Sequence, residues 1–424
     1  MNKSQILAAI DIGSSKITTL IAQVITEEVV QESSINIIGV ANLPSRGIKK
    51  GQIVDIEEAV EAVISSVEAA ERMAGYNVDS AFISVGGAHV SSQNSKGVVA
   101  VSNPNGEVTP EDVERVVDAA SAVSHPASRE IIHVIPREFI VDGESGVRDP
   151  VGMSGVRLEV DTHIVTASSA ALKNLRRSVN EVGVEVRDLV FSGLASSYAT
   201  ITPTEKELGC VLIDIGAGTT SIAAFVDGGL AFSGSLPIGA RNVTNDLAIG
   251  LRVSLDTAEK IKINLGKKSK LTDKHGKEVV EIEETGSAEP KTVTKRTITE
   301  GIIKPRLNEI FSMVKTDLDK AGIVNKVPSG AIITGGGALT VGIEESAKRI
   351  LTLPTRIASP EGVKGLIDDI SDPRFSTVIG LVLYGVSEAS EPKRTVIPNF
   401  SSKLKLPKVG SLGKIINTIK DLLP

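Results

Sequence analysis

The sequence predicts an α/β protein built from two related lobes. The first observation is a duplicated motif, because the tetrapeptide Ile-Asp-Ile-Gly ends an apolar run at Ile10–Gly13 and again at Ile213–Gly216. The copies lie about two hundred residues apart, too far for a solenoid repeat and suitable for a duplicated domain. The second observation is length, since 424 residues exceed what one hydrophobic core serves. The third is composition: 41% hydrophobic residues without low complexity are typical of a globular α/β protein.

Composition also bounds the class of function. A formal net charge of −6 argues against a nucleic-acid-binding protein. The single cysteine, Cys210, falls in a predicted buried strand, so disulfides and thiolate metal sites are excluded by count and a reducing compartment is indicated. The N-terminus leads straight into a predicted strand, and no run of eighteen apolar residues occurs. We therefore expect a cytoplasmic protein without a signal peptide or a membrane-spanning helix.

The duplicated motif suggests phosphate chemistry. In each copy a buried strand ends at a carboxylate, Asp11 or Asp214, and a turn of small residues follows. Glycine amides can turn inward around an anion because no Cβ blocks them, and a carboxylate can hold the waters of a Mg²⁺ that bridges phosphates. Each turn alone could equally be an ordinary strand end, but the matched pair favours a phosphate clamp. The candidate phosphate-binding residues are Asp11, Gly13, Ser14, Ser15, Lys16, Asp214, Gly216, Ala217, Gly218, Thr219 and Thr220. Asp11 and Asp214 would hold the metal through water, and Asp214 is the one candidate for positioning a catalytic water.

A third glycine cluster, Gly335–Ala338, follows another apolar run and would let a flat ring lie against bare backbone. Together the three loops resemble the actin / DnaK-type chaperone / sugar kinase superfamily. That resemblance implies a two-lobed actin-like ATPase fold with duplicated RNase H-like domains, binding ATP or ADP with Mg²⁺. It also implies that Glu259 serves the ribose hydroxyls and Lys262 the purine, although their spacing of three alone suits an ordinary surface ion pair. The further candidate cofactor contacts are Gly239, Asn242, Gly335, Gly336, Gly337 and Ala338.

Residues 85–160 have a strand and helix pattern of their own. They carry a sequence of short motifs: Gly86-Gly87, His89, Asn94-Ser95, Gly97, Asp149-Pro150 and Leu158-Glu159. In this order the motifs resemble the FtsA family of bacterial cell-division proteins, and the resemblance covers nearly the whole chain. It implies that the segment is an inserted α+β subdomain, called 1C, which serves protein contacts and self-assembly. The histidine spacings fit no metal motif, so structural roles are expected for them.

The resemblance also implies a division into domains. Lobe 1 (domain 1A) would comprise residues 1–84 and 161–205; the inserted subdomain 85–160; lobe 2 (domain 2A) 206–238 and 303–387; a small subdomain (2B) 239–302; a flexible tether 388–410; and a terminal helix 411–424. The segment Asp188–Tyr198 matches the first connecting helix between the lobes, and Ser376–Gly385 the second. Related ATPases carry a Gln or Glu near the start of the first helix, and this chain does not, so we expect at most a slow ATPase.

Local patterns predict further elements. Strands are expected at Ile6–Ile12, Lys16–Val24 and Ile35–Ala41, and a helix at 55–74 with Asp55 as its cap. Leu158–Ser168 is expected to be a strand that returns to the first domain. The alternation in Lys277–Glu283 and Lys291–Ile298 predicts a hairpin, followed by a helix over Thr299–Ala321. On that helix, Lys304 and Arg306 are expected to be exposed. By resemblance they match a docking surface for the acidic, apolar C-terminal tail of the tubulin-like protein FtsZ. An ordinary solvated helix face would explain the two residues equally well.

The segment from residue 388 to the end of the chain differs from the rest. Three prolines among polar and basic residues indicate a tether, and Ser411–Leu423 reads as a short helix. From Lys403 onward there are five lysines and one acidic residue. An amphipathic, basic helix of this kind suits a reversible anchor on anionic lipid, and packing on its own domain is disfavoured by the proline-bearing tether. The apolar stripe consists of Leu412, Ile415, Ile416, Ile419, Leu422 and Leu423.

The resemblance and the tail together imply an ATP-binding actin-like cell-division protein that polymerises and tethers the FtsZ ring to the cytoplasmic face of the membrane at the division site. The implied partners are the FtsZ tail, other copies of the chain, anionic lipids and further division proteins that contact residues 85–160. Two alternatives are a PilM-like cytoplasmic assembly module and a small-molecule kinase of the same fold. The tether and terminal helix favour the FtsA family over both.

Overall fold

The computed structural model describes residues 3–26, 33–265, 278–282, 291–366 and 370–390. The first half of the chain contains β1 (Lys3–Ile12), β2 (Lys16–Thr26), β3 (Ser33–Pro44), β4 (Ile48–Lys49), β5 (Gln52–Ile53), α1 (Ile56–Ala74), β6 (Ser80–Val85), β7 (Ser91–Ala100), α2 (Pro110–Ser121), β8 (Arg129–Val141), β9 (Glu144–Val147), β10 (Arg157–Ser168), α3 (Ser169–Asn180), β11 (Glu185–Phe191) and α4 (Ser192–Thr200). The second half contains α5 (Pro203–Leu208), β12 (Cys210–Ile215), β13 (Thr220–Val226), β14 (Gly229–Leu236), α6 (Ala240–Leu251), α7 (Leu255–Leu265), β15 (Val279–Ile282), β16 (Lys291–Thr294), α8 (Lys295–Ile298), α9 (Lys304–Lys320), β17 (Ala331–Thr334), α10 (Ile343–Leu351), β18 (Thr355–Ile357) and α11 (Ser376–Ser390).

The two lobes contain sheets of the same topology. The first sheet has the strand order β11-β6-β1-β2-β3 and the second β18-β17-β12-β13-β14. In each sheet three consecutive strands form an antiparallel meander, and the first of them pairs in parallel with a later strand. Asp11 lies opposite Thr18, and Asp214 lies opposite Ser221 at the same offset. The duplicated fold that the repeated motif predicts is therefore confirmed.

Two helices lie between the sheets. The helix α4 packs on strands β12 and β13 of the second lobe, whereas α11 packs on β1, β2 and β6 of the first, and the two helices pack on each other. A Cβ placed on Gly380 would lie 1.8 Å from the carbonyl oxygen of Ala195, so the helices approach at a distance that only glycine allows. The predicted connecting helices are thus both present and in close contact, although the first begins at Ser192 because Asp188–Phe191 belong to β11.

The inserted subdomain has its own sheet and core. Its strands have the order β7-β10-β8-β9, and α2 covers the sheet. The helix α2 begins at a capping box in which Thr109 accepts from the Asp112 amide and Asp112 accepts from the Thr109 amide. The strand β10 leads back to the first lobe as expected, but it pairs over residues 157–168 with β7 and β8. Residues 161–168 are therefore part of the subdomain's sheet.

Several local predictions are confirmed and one is corrected. The helix α1 begins after Asp55, whose carboxylate accepts from the amides of Glu57 and Glu58 at 3.1 Å each. The hairpin is present as β15 paired with β16. The prediction of strand to Ile298 is wrong, because the Thr294 side chain accepts from the Thr297 amide and caps a helix that begins at Lys295. A π-helical turn over Thr299–Ile303 joins that helix to α9.

The predicted tether begins later than expected, since α11 continues to Ser390. The remainder of the tether and the terminal helix 411–424, with all six residues of its apolar stripe, lie outside the described residues. Within the described ranges, no helix is both long and apolar enough to cross a membrane.

Candidate nucleotide site

The two predicted phosphate loops face each other. In the first, the Gly13 amide donates to the Lys16 carbonyl at 3.0 Å, and in the second the Gly216 amide donates to the Thr219 carbonyl at 2.8 Å, so the same turn closes both loops. A Cβ on Gly218 would lie 2.8 Å from the hydroxyl oxygen of Ser14. The loops of the two lobes are therefore in direct contact at Gly218, as a shared clamp requires.

The start of α6 extends the second loop. The amides of Ala240 and Arg241 donate to the carbonyls of Gly216 and Ala217, both at 2.9 Å. The side-chain oxygen of Asn242 accepts from the Gly239 amide at 3.2 Å. Gly239 and Asn242 thus lie directly beside the second predicted phosphate loop.

The third glycine cluster packs on Asp214. Gly335 has φ +82°, a conformation that L side chains rarely adopt, and a Cβ on it would lie 2.2 Å from Oδ1 of Asp214. A Cβ on Gly337 would lie 2.4 Å from the Ile215 side chain. Gly336 is exposed and Ala338 is buried in a short 3₁₀ turn over Gly336–Leu339. Bare backbone therefore borders the second loop, as an adenosine loop would.

Glu259 and Lys262 are also brought to this region. The Lys262 ammonium donates to Glu259 at 2.8 Å, to the Thr244 hydroxyl at 2.9 Å and to the Ala240 carbonyl at 3.3 Å. The bond to Ala240 joins this pair to the residue that contacts Gly216. The pair is thus part of the loop assembly and not an isolated surface ion pair.

The two aspartates are held by hydroxyls that the sequence does not point to. Asp11 accepts from the Ser84 hydroxyl at 2.7 Å. Asp214 accepts through Oδ2 from the hydroxyls of Ser196 at 2.5 Å and Thr377 at 2.9 Å. Burial raises the pKa of both carboxyl groups, and these hydrogen bonds oppose the rise. A bound cation would favour the charged carboxylates.

Lys16 lies between the lobes. Its ammonium donates to the carbonyl of Arg374 at 2.7 Å and lies 4.5 Å from the centre of the Phe375 ring. Burial lowers the pKa of Lys16 to about 8, and the charge of Asp11 opposes this shift. The Lys16 ammonium of the first loop therefore contacts Arg374 and Phe375, the two residues before α11.

The remaining loop residues differ in exposure. Ser15 is exposed, and Thr219 is half-buried. Thr220 is buried, and its hydroxyl donates to the Ile238 carbonyl at 2.9 Å, so this side chain supports the loop from within the core.

Residues 373–377 form a junction that sequence reasoning missed. Besides the contacts of Lys16 and Asp214, the Gly335 amide donates to the Pro373 carbonyl at 3.2 Å, and the Thr334 hydroxyl lies 2.6 Å from that of Ser376. Residues 373–377 therefore contact all three loops. A local signal did exist, because Asp372-Pro373 is a typical start of a helical turn.

The residues present fit a magnesium nucleotide. Two glycine-containing turns meet across the lobes, and the bare backbone of Gly335 packs against Oδ1 of Asp214 more closely than any side chain would allow. Two carboxylates supply the oxygen donors that Mg²⁺ and its waters prefer. Geometry and donor chemistry are thus consistent with phosphate and metal in one cleft.

Lys304 and Arg306, the predicted docking residues, both engage acidic groups of this chain. Lys304 contacts Glu300 at 2.9 Å and Glu345 at 3.0 Å, and Arg306 contacts Asp246 at 2.6 Å. Their side chains are 17% and 25% exposed, so the expectation of exposed cations is wrong. The docking role stays a prediction.

Buried histidines and the cysteine have contacts of a structural kind. His133 accepts from the Phe191 amide at 3.0 Å, and His163 bonds Asn94 at 2.7 Å and Ser233 at 2.9 Å. Cys210 is buried, and burial raises the pKa of its thiol to about 12, as for a packed, unreactive side chain.

Two equivalent sheets around a cleft of glycine loops define a protein of the actin-like class. Solved structures support this class: the PilM-PilN type IV pilus biogenesis complex aligns with a TM-score of 0.62 at 16% identity over 90% of this chain and 98% of that chain. MreB5 of Spiroplasma citri bound to ADP aligns with a TM-score of 0.54 at 14% identity, over 92% of this chain and 99% of that chain. At such identities the likeness shows the fold alone.

Sequence comparison gives the family. The model described as "SHS2 domain inserted in FTSA" matches residues 87–166, and the model "Cell division protein FtsA" matches 211–380. The cell division protein FtsA of Pseudomonas aeruginosa is 36% identical over 416 residues, which cover 98% of this chain and 97% of the relative. The chain belongs to the FtsA family of cell division proteins, and the predicted resemblance is confirmed.

Proposed function

We propose that this protein binds ATP or ADP with Mg²⁺ between its lobes, assembles into filaments and tethers the FtsZ ring to the cytoplasmic face of the cell membrane at the division site. The observation that carries the proposal is the contact between the two phosphate loops, one from each lobe, at Gly218 and Ser14. A ligand seated on both loops stabilises the closed arrangement of the lobes. The bound form of MreB5 supports a nucleotide in this fold.

The roles of the cleft residues follow from their positions. The amides and hydroxyls of the two loops, with Lys16, would bind the phosphates, and Asp11 and Asp214 would hold the waters of Mg²⁺. The loop Gly335–Ala338 would lie against the base, with Glu259 at the ribose and Lys262 beside the purine. When bound, the metal would supply positive charge that offsets the negative charge of the phosphates and the two carboxylates.

Hydrolysis would be slow. The start of α4, where related ATPases place a Gln or Glu, carries Ser192 and Ser196. A serine hydroxyl is a weak base at neutral pH, which leaves Asp214 as the group near the phosphates that could position a water. Nucleotide would then act mainly as a cofactor of conformation and assembly.

The membrane role rests on the terminal sequence. If six aliphatic side chains half-bury in lipid, the gross gain is on the order of 5–9 kcal/mol, and ordering the helix offsets part of it. Such an anchor is weak for a monomer and effective for a filament that carries many copies, because the second attachment is intramolecular. Filament assembly and membrane binding should therefore rise together.

The contact with FtsZ would involve α9. Lys304 and Arg306 already have acidic partners, so an acidic peptide would compete with Glu345 and Asp246 for these cations. Further division proteins would contact the inserted subdomain.

Co-sedimentation with vesicles containing anionic lipid tests the proposal. The full chain is compared with a chain ending at Val409, each with and without ATP·Mg²⁺. We expect that only the full chain pellets, and more so with nucleotide. Ile416→Asn on the apolar stripe should act like the truncation, whereas Thr418→Asn on the other face should pellet like the full chain. Equal pelleting of the two chains, or of the two substituted variants, would contradict the anchor.

A further inference from the structure

Asp214 is held by residues from outside its own sheet. It is the penultimate residue of β12, but Ser196 belongs to α4 and Thr377 to α11. The hydroxyl oxygens of Ser196 and Thr377 lie 3.1 Å apart and both donate to Oδ2 of the carboxylate. Asp214 is 7% exposed, Ser196 0% and Thr377 8%. Water therefore does not compete for these hydrogen bonds.

The two bonds leave the other carboxylate oxygen available. Among the residues that the structure describes, none donates a hydrogen bond to Oδ1 of Asp214. This oxygen lies beside Gly335 of the third glycine loop, where a Cβ would come within 2.2 Å of it, so only a glycine can border it there. The hydroxyls therefore fix the Oδ2 edge of the carboxylate and hold Oδ1 beside the third glycine loop, without a hydrogen-bond donor among the described residues.

The same two helices connect the lobes. They pack at Gly380 and Ala195, at a separation that permits no added side chain at Gly380. A sliding of α11 against α4 would separate the Thr377 and Ser196 hydroxyls and release the carboxylate. The orientation of Asp214 thus depends on the alignment of the two helices.

We propose that Ser196 and Thr377 are positioning residues that orient Asp214 toward the waters of Mg²⁺, so that metal-dependent nucleotide binding requires the aligned packing of α4 and α11. The inference rests on the proposed nucleotide site. It concerns only the part of the affinity that Mg²⁺ adds.

The chain offers matched variants for the test. Thr377→Val keeps the shape and removes the hydroxyl, and Thr377→Ser restores the hydroxyl. Ser196→Ala removes the second donor. Ser197→Ala is the control, because the Ser197 hydroxyl is also buried in α4 but donates to the Leu194 carbonyl at 2.6 Å.

The measurement is the Kd of the full chain for a fluorescent ADP in Mg²⁺ and in EDTA. The ratio of the two values reports the gain from the metal. We expect Ser196→Ala and Thr377→Val each to reduce this gain about tenfold, as for one lost hydrogen bond to a charged group. Thr377→Ser and Ser197→Ala should stay within about twofold of the unchanged protein, on the same scale.

The outcomes distinguish the positioning role of Ser196 and Thr377 from the nucleotide site itself. A purely structural role would lower the melting temperature without ligand and leave the ratio unchanged, which would overturn the inference. If Asp214→Asn abolishes the gain while Ser196→Ala and Thr377→Val retain it, the inference is wrong and the nucleotide site stands. If the unchanged protein binds no nucleotide, or if Asp214→Asn retains the full gain, the metal role of Asp214 fails and the inference with it. Should Thr377→Val fail to fold, Ser196→Ala and its Ser197→Ala control carry the same decision.

Discussion

Asp11 and Asp214 are the penultimate residues of equivalent strands in the two lobes, yet different parts of the molecule hold them. Ser84 follows Ile83, which lies opposite Ile10 in the neighbouring strand, so Asp11 is held within its own sheet. The equivalent neighbour of Asp214 is Thr334, but its hydroxyl donates to the Ala358 carbonyl at 3.0 Å. Asp214 is held instead by the two connecting helices. The hydrogen bond to Asp11 comes from within one lobe, whereas the hydrogen bonds to Asp214 come from the two helices that connect the lobes.

The largest expected effect concerns the glycines beside the two aspartates. Gly335→Ala should lower the free energy of unfolding by about 3 kcal/mol, because it adds a left-handed backbone penalty to a clash with Asp214. Gly13→Ala should cost about 1 kcal/mol, since a Cβ there lies 2.9 Å from one carbonyl and no unusual φ is involved. Urea unfolding, monitored by circular dichroism, measures the loss of unfolding free energy in both variants. Equal losses would show that the backbone beside Asp214 is no more constrained than the backbone beside Asp11.

A second contact between lobes predicts a dependence on pH. His163 joins the inserted subdomain to Ser233 of the second lobe, and burial lowers its pKa from 6.5 to about 3. The unfolded chain therefore binds more protons between these values, so stability is full above pH 6.5 and falls as the pH falls. Between pH 6.5 and 5 the loss should be about 2 kcal/mol.

The control for this effect is the exposed His125. His163→Asn should remove this part of the acid sensitivity of unfolding in urea, while His125→Asn should leave it in place. The same pH profile for both variants would mean that His163 is not the responsible group.

A smaller effect separates the two neighbouring hydroxyls. Ser84→Ala should weaken Mg²⁺-dependent ADP binding about fivefold, because it removes a hydrogen bond to the carboxylate of Asp11. Thr334→Val should change it by about twofold or less, since Thr334 bonds Ala358 and Ser376 and not Asp214. Fluorescence titration measures both. A larger effect of Thr334→Val than of Ser84→Ala would contradict the claim that the neighbouring strand holds Asp11 but not Asp214.

Much of this arrangement could be predicted from local sequence. The repeated Ile-Asp-Ile-Gly motif gave both loops, and Asp55 marked the start of α1, because strand ends and caps depend on residues close together in the chain. The hydroxyls on Asp214 could not be found this way, since Ser196 lies 18 positions and Thr377 163 positions away. Two acidic partners, Glu345 of Lys304 and Asp246 of Arg306, were missed for the same reason, since they lie 41 and 60 positions away. Glu300 lies one helical turn from Lys304 and could have been found from the spacing.

The helix start at Lys295 shows a different limit. The alternation in 291–298 suits a strand as far as Thr294, where a threonine cap turns the chain into a helix. Alternation and capping compete over a few residues, and only the packing of Ile298 into the core of the second lobe decides between them.

The most direct test of the account is hydrogen exchange, measured by mass spectrometry on the full chain with and without ADP·Mg²⁺, for the unchanged protein, Asp11→Asn and Asp214→Asn. In the unchanged protein the loops, α4 and α11 should all gain protection on binding. At saturating ligand, Asp11→Asn should keep the gain in α4 and α11, whereas Asp214→Asn should lose it there and keep part of it in the first loop. The same pattern in both variants, or protection confined to the loops in the unchanged protein, would contradict the coupling of Asp214 to the connecting helices.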